Sequence, residues 1–177
     1  MTRTRRLAGA LAGLLLLAAC NPTFNWRTVR GDGAPMQALM PCKPDRAERE
    51  VPLGGLNVTL HMMSCDTGGL TFAVASLDAG DATRAAIALD AWRRATLVAV
   101  HADPALADDP AAQWPAAVPG TDRALGLQAG GRDPRSEPVT VRALHAAQGG
   151  RLVHAAIYGR AIDPELASTF FDGLRLP

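Results

Sequence analysis

Residues 56–76 read LNVTLHMMSCDTGGLTFAVAS, and this stretch decides the fold class. From Leu56 to Ser64, Leu56, Val58, Leu60 and Met62 alternate with Asn57, Thr59, His61 and Met63, the period-two pattern of a strand with two unlike faces. Asp66-Thr67-Gly68-Gly69 is a cluster of turn residues, and Leu70, Phe72 and Val74 resume the alternation as far as Ser76. Links this short join antiparallel strands, because a parallel crossover needs a dozen or more residues. Upstream, Arg49–Leu53 runs into Gly54-Gly55, a second turn dipeptide, and Gln37–Met40 is a short strand stopped by Pro41. Together these segments form an antiparallel meander.

Downstream the period changes. Ala85, Leu89, Trp92, Thr96 and Val100 recur at spacings of four and three, one apolar stripe of a helix with Asp81 as its N-cap and Asp103-Pro104 as its end. Trp92 is the largest anchor of that stripe. Residues 103–121 are rich in proline and acid and read as a long loop with a short helical turn around Ala105–Asp108, pinned to the core by Trp114. A second meander follows: Arg123–Gln128, then Val139, Val141, Ala143 and His145 on one face, then Gln148-Gly149-Gly150 as a turn, then Leu152, His154, Ala156 and Tyr158 on one face. Asp163-Pro164-Glu165 opens a last helix as N-cap, N1 proline and first-turn acid, with Leu166, Phe170 and Leu174 as its buried stripe. Strands grouped with strands, each group closed by a helix, predict an α+β fold: an antiparallel sheet built from two meanders, each followed by a helix packed on the sheet.

This order, the stretch Ala38-Leu39-Met40-Pro41-Cys42-Lys43-Pro44 and the closing Phe170-Phe171-Asp172-Gly173-Leu174-Arg175-Leu176 resemble the PsbP-like α/β/α sandwich. In the first of these stretches Met40 stands where that fold has an aromatic. The chain also looks like a group of uncharacterised proteobacterial lipoproteins. The resemblance implies a fold that serves mainly as a binding or assembly module, and no functional residue is carried over from it.

The N-terminus points to an address. Arg3, Arg5 and Arg6 precede an apolar run, Leu7–Leu17, and Leu17-Ala18-Ala19-Cys20 closes it. That succession resembles a bacterial lipoprotein signal with its lipobox, and the apolar run is short for a membrane span of roughly 20 residues. The expectation is a signal peptide over residues 1–19 that is removed, lipid on the Cys20 thiol, a lipidated tether over residues 20–35 and a single α+β domain over residues 36–177. Asn21 after the cysteine implies, by the same resemblance, the periplasmic side of the outer membrane. Removal of the signal takes three of the 18 basic residues and none of the 17 acidic ones, leaving 15 against 17 and a formal net charge of −2. A nucleic-acid binder would carry a basic stripe instead. The expected partners are the membrane, through the N-terminal lipid, and another envelope protein.

Cys42 and Cys65 are the cysteines left once Cys20 is lipidated. In an oxidising compartment such a pair reads as a disulfide, and there is no C-x-x-C to suggest redox or metal chemistry. Searches for G-x-S-x-G, H-E-x-x-H, a P-loop and G-x-G-x-x-G find none, and Gly31-Asp32-Gly33 has neither a strand before it nor a helix after it. No catalytic residue, cofactor or metal is therefore expected, and the chain is read as not an enzyme. One pair stands out. If Gly149-Gly150 is a two-residue turn, His145 lies directly across from His154, with His61, Met62 and Met63 on another strand. Two imidazoles on neighbouring strands are a metal-site pattern, but the expectation is that both rings lie on a solvated or half-packed face and bind nothing. The functional expectation is a non-enzymatic envelope lipoprotein that binds a protein or supports an assembly, with binding of a small ligand or metal ion as the alternative. An exposed flat apolar face would favour the first and a pocket the second.

Overall fold

The computed structural model describes residues 23–32 and 35–176; the signal segment and Cys20 lie outside them. The fold is α+β. Seven antiparallel strands form the main sheet: β3 (Asp45–Leu53), β4 (Leu56–Thr67), β5 (Leu70–Asp78), β6 (Gln113–Pro115), β7 (Arg123–Arg132), β8 (Pro138–Gln148) and β9 (Arg151–Gly159), in the order β3-β4-β5-β9-β8-β7-β6. A two-stranded ribbon, β1 (Arg27–Arg30) and β2 (Gln37–Met40), stands apart from it. The two meanders join through their last strands, β5 and β9, so each ends at the centre of the sheet and each is followed by a helix: α1 (Ala82–Ala99) and α2 (Pro164–Asp172).

The period-two pattern sorts the helices onto opposite faces. Phe72 and Val74 of β5 and Val153, Ala155 and Ile157 of β9 pack with Phe170 and Phe171 of α2 and with Met36, Ala38 and Met40 of the ribbon. Ala75 and Leu77, with Leu152, pack under Ala85, Leu89 and Trp92 of α1, and Val141, Ala143 and Ala156 continue that layer under Leu97. Every member of the expected α1 stripe is buried: Ala85, Leu89, Trp92, Thr96 and Val100. Asp81 caps α1 by accepting from the N–H groups of Thr83 and Arg84, both at 2.9 Å. Asp163 does the same for α2 through Leu166 N–H at 2.9 Å.

The strands run longer than the sequence pattern suggests. β3 begins at Asp45, not Arg49, and β7 ends at Arg132, not Gln128. Backbone pairing continues there through charged or glycine residues that carry no apolar alternation. Residues 103–121 hold two 3-10 turns, Pro104–Asp108 and Pro110–Ala112, and then the edge strand β6. Trp114 lies against Phe171 at 5.2 Å between ring centroids and under the Arg142 guanidinium at 4.8 Å. Its register partner is Gly126, where a Cβ would fall 2.0 Å from the indole, so only glycine lets the ring lie flat on the sheet.

Part of the expected tether belongs to the fold. From Thr23 onward the chain is packed: Phe24 and Trp26 meet Phe72 edge-on at 6.4 and 6.3 Å, and Asn25 N–H donates to Pro41 at 2.7 Å. The Thr67 hydroxyl donates to the Thr23 carbonyl at 2.5 Å, and the Phe24 ring lies where a Cβ on Gly68 would stand. Two aromatics with an apolar partner outweigh the polar composition around them. Cys42, just past β2, is bonded to Cys65 of β4, with Cα atoms 6.0 Å apart, inside the usual disulfide range. The bridge ties the ribbon to the main sheet, whereas the sequence pattern placed both cysteines within one meander.

Candidate functional site

The β8–β9 hairpin turns at Gly149-Gly150, with Gln148 paired to Arg151 and His145 to His154. Gly149 has φ +56°, the left-handed conformation that the first central position of a two-residue type II′ turn requires. Gly150 meets the chain entering α1: a Cβ there would lie 2.8–2.9 Å from backbone atoms of Gly80 and Asp81. The turn is thus fixed in place, and the register puts both histidines on the face that α1 covers.

That face is not solvated. His145 and His154 are buried beneath α1, with Trp92 stacked on His154 at 5.3 Å and 29° and edge-on to His145 at 6.3 Å. Alternation tells which residues share a face but not which face a helix will cover, and this is why the expected half-packed surface is a closed core layer. His145 Nε2 lies 3.1 Å from Thr96 Oγ1 and 3.0 Å from His154 Nδ1.

The contacts assign the hydrogens. The single hydroxyl hydrogen of Thr96 goes to the Trp92 carbonyl at 2.9 Å, the bond a helical threonine makes one turn back. Thr96 can then only accept from His145, so His145 Nε2 carries a hydrogen, which is shared with the lone pair of His154 Nδ1. With Nδ1 bare, neutral His154 bears its hydrogen on Nε2, the nitrogen on the far side of the ring from His145. In this arrangement every close contact pairs a donor with an acceptor. His145 Nδ1 is left as a buried lone pair without a partner, and Arg93 Nε is buried and unpaired as well. Both rings are neutral. Burial pushes His145 well below the ordinary histidine value, with the charge interactions of His154 and Arg93 adding to it, and burial brings His154 down to about 4.

Leu97 seats the second half of α1 on β8 and β9, and on its other side, toward β3, β4 and β5, the helix leaves a gap beside His154 and Trp92. Beyond them the helix presents Ala95 and Ala99, and the sheet presents Ala47, Ala73 and Ala75. Small side chains on both walls leave an open cleft of about 540 Å³, with Leu60 and Met62 completing a largely apolar lining in which Ser64, Thr71, Thr96, His154 and Tyr158 are the uncharged polar residues. Charge appears only at the rim, as Asp45 and Arg46, and Arg46 is held by Asp32 at 2.5 Å and by the Arg30 carbonyl at 3.0 Å. Thr71, Ala99 and Tyr158 also line an adjoining polar cavity of about 650 Å³ that carries Asp133, Arg135, Glu137 and Arg160.

The other residues singled out in the sequence do not converge. His61 pairs with Glu48 at 3.2 Å, Met62 faces the cleft, and Met63 is buried on the opposite face of the sheet. Among the described residues, no three histidine, cysteine, aspartate or glutamate side chains stand together as a metal site. The cleft itself was not visible in the sequence. Its only trace there is the alanine content of α1 and β5, which ordinarily signifies close packing.

Neither a protein-family model nor a curated protein matches the chain. A solved structure from Bacteroides thetaiotaomicron VPI-5482 is similar to it with a TM-score of 0.48 and 8% identity, over 88% of this chain and 49% of that one. The chain therefore spans about half the length of that protein.

Proposed function

We propose that this chain is a lipid-anchored, non-enzymatic protein of the bacterial cell envelope, with a PsbP-like domain that binds a small apolar molecule in the cleft beneath α1. The cleft carries the reading. Its volume of about 540 Å³ falls within the range of roughly 300–1,000 Å³ typical of small-ligand sites, and it combines largely apolar walls with a few polar groups, His154 and Tyr158 among them, as such sites do. The Leu17-Ala18-Ala19-Cys20 succession supports the anchor and the envelope address. The two meanders with a helix on each face, the Ala38–Pro44 opening and the closing Phe170–Leu176 segment support the PsbP-like kinship.

The surface gives less support to docking of another protein. Among the described residues the exposed large hydrophobics are Ile87 and Val98, at 51% and 57%, and scattered single side chains of that kind are ordinary. Both sheet edges are guarded: β3 carries Asp45, Arg46, Glu48, Arg49 and Glu50, and β6 is three residues long and ends in Pro115. Beside the imidazole pair the available hydroxyl is that of Thr96, already committed to a backbone carbonyl, so no activated nucleophile stands there.

The test is extraction of the native lipoprotein from membranes in mild detergent, followed by mass spectrometry of its organic extract. An apolar small molecule should co-purify near one per chain, and Ala95→Phe, which fills the cleft from the helix side, should remove it. An extract without such a molecule, from protein that crosslinks specifically to another envelope protein, would replace this reading with the assembly role.

A further inference from the structure

We infer that the molecule held in the cleft is uncharged and carries a carbonyl oxygen, which accepts a hydrogen bond from Nε2 of His154. The inference rests on the cleft being a ligand site and adds the chemistry of its occupant. Three observations lead to it. The Thr96–His145–His154 relay fixes the proton of His154 on Nε2, because Thr96 is committed to the Trp92 carbonyl at 2.9 Å and His145 Nε2 faces His154 Nδ1 at 3.0 Å. His154 lines the cleft, so the nitrogen left over is a donor open to an occupant; of the hydroxyls that share the lining, Thr71 donates to Asp66 and Thr96 to the Trp92 carbonyl, leaving those of Ser64 and Tyr158. Among the described residues it has no hydrogen-bond partner within the protein.

The cleft lining offers no unpaired cation, and this decides the class of acceptor. A carboxylate seated against one neutral N–H would be stripped of water without a counter-charge, which is strongly unfavourable. The cation at the rim, Arg46, is already engaged by Asp32, and Asp45 beside it repels an anion. A ketone, ester, amide or quinone carbonyl asks only for a neutral donor such as the His154 N–H, and the Tyr158 hydroxyl that also lines the cleft is neutral too. A pure hydrocarbon would leave the His154 donor unmet, and the stack of Trp92 on His154 at 5.3 Å holds the ring so that it cannot turn away.

The experiment uses the full mature chain carrying Cys20→Ser, which removes the lipid and leaves every described residue in place. Three probes of matched length are titrated by calorimetry at pH 7: 2-tridecanone, tridecane and dodecanoic acid. The ketone should bind about three- to tenfold more tightly than the alkane, the gain expected of one net hydrogen bond, and more tightly than the acid. In His154→Phe, which keeps a ring under Trp92, the preference for ketone over alkane should vanish. Nitrogen-15 NMR of the same chain with His154 intact reads the tautomer without any variant: Nε2 of His154 should carry the proton, and its resonance should move when the ketone is added. Equal affinity for ketone and alkane, tighter binding of the acid, a preference that survives His154→Phe, or a proton on Nδ1 would each overturn the inference and leave the cleft as a binding site. Binding of none of the three probes would overturn both.

Discussion

Two neutral imidazoles enclosed under a helix make the protein sensitive to acid. In the unfolded chain each ring takes up a proton near 6.5, whereas in the fold burial holds His154 down to about 4 and His145 well below its ordinary value. Between those limits the unfolded state binds more protons, so stability rises with pH there. It is complete above about pH 6.5 and falls as pH drops toward 4; for His154 alone the loss is roughly 3 kcal/mol. Urea midpoints should therefore decline from pH 7 to pH 4.5, and the decline should be smaller in His154→Phe. A midpoint as high at pH 4.5 as at pH 7 would mean that the rings are hydrated. The pairing of His145 with His154 was legible in the sequence, because the Gly149-Gly150 dipeptide and the alternation on either side fix the register. Their burial was not, because the covering residue, Trp92, comes from a helix about 50 residues upstream whose docking face no local pattern specifies.

The elements most clearly written in the sequence are those with strong periodicity or explicit caps. The α1 stripe and the Asp163-Pro164-Glu165 start of α2 are where the pattern puts them. Phe170, on the α2 stripe, is buried and meets Phe72 at 5.2 Å. Phe170→Ala should cost about 3–5 kcal/mol in chemical denaturation; a loss below about 1 kcal/mol would mean that α2 does not seal that face of the sheet. Gly150→Ala tests the opposite end of the hairpin, where a Cβ would crowd backbone 2.8 Å away. Backbone cannot swing aside as a side-chain tip can, and the expected cost is about 1–3 kcal/mol. The elements missed are short and non-local. β1 is four polar-edged residues, Arg27–Arg30, paired with β2, and nothing in RTVR by itself distinguishes a strand from a linker. The Cys42–Cys65 bridge closes over a separation of 23 residues, so its reduction should lower stability by about 3 kcal/mol in the chain-entropy picture. That loss should be accompanied by loosening of β1 and β2 in hydrogen exchange before the main sheet opens.

For the whole molecule, the proposed address rests on the sequence and the cavity on the structure. Mass spectrometry of native protein should find acyl chains on Cys20 as the mature first residue; a mature chain that begins elsewhere, or that is released without lipid, would remove the anchor from the proposal. The cleft depends on the absence of side-chain volume at Ala47, Ala73, Ala75, Ala95 and Ala99. These residues lie on α1 and on two strands of the sheet, β3 and β5, and they become neighbours only when the sheet closes under α1.

The packing of Thr23 and Phe24 against the β4–β5 turn sets the length of a leash. Gly69 and Thr71, just past that turn, line the polar cavity, and Thr71 lines the apolar one too. Two residues, Asn21 and Pro22, lie between Cys20 and Thr23, so the three steps from one to the other reach at most about 11 Å. On the proposed anchor, lipid on Cys20 would keep the end of the sheet where the two cavities meet close to the bilayer surface. Under that proposal, loading the cleft would be a hand-over between adjoining apolar phases, and an occupant need never dissolve in water. Inserting about 20 Gly/Ser residues after Asn21 would slacken the leash to a root-mean-square span of roughly 25 Å. Exchange between vesicles and cleft should slow while affinity at equilibrium stays the same, because the leash governs the route into the cleft and not its walls.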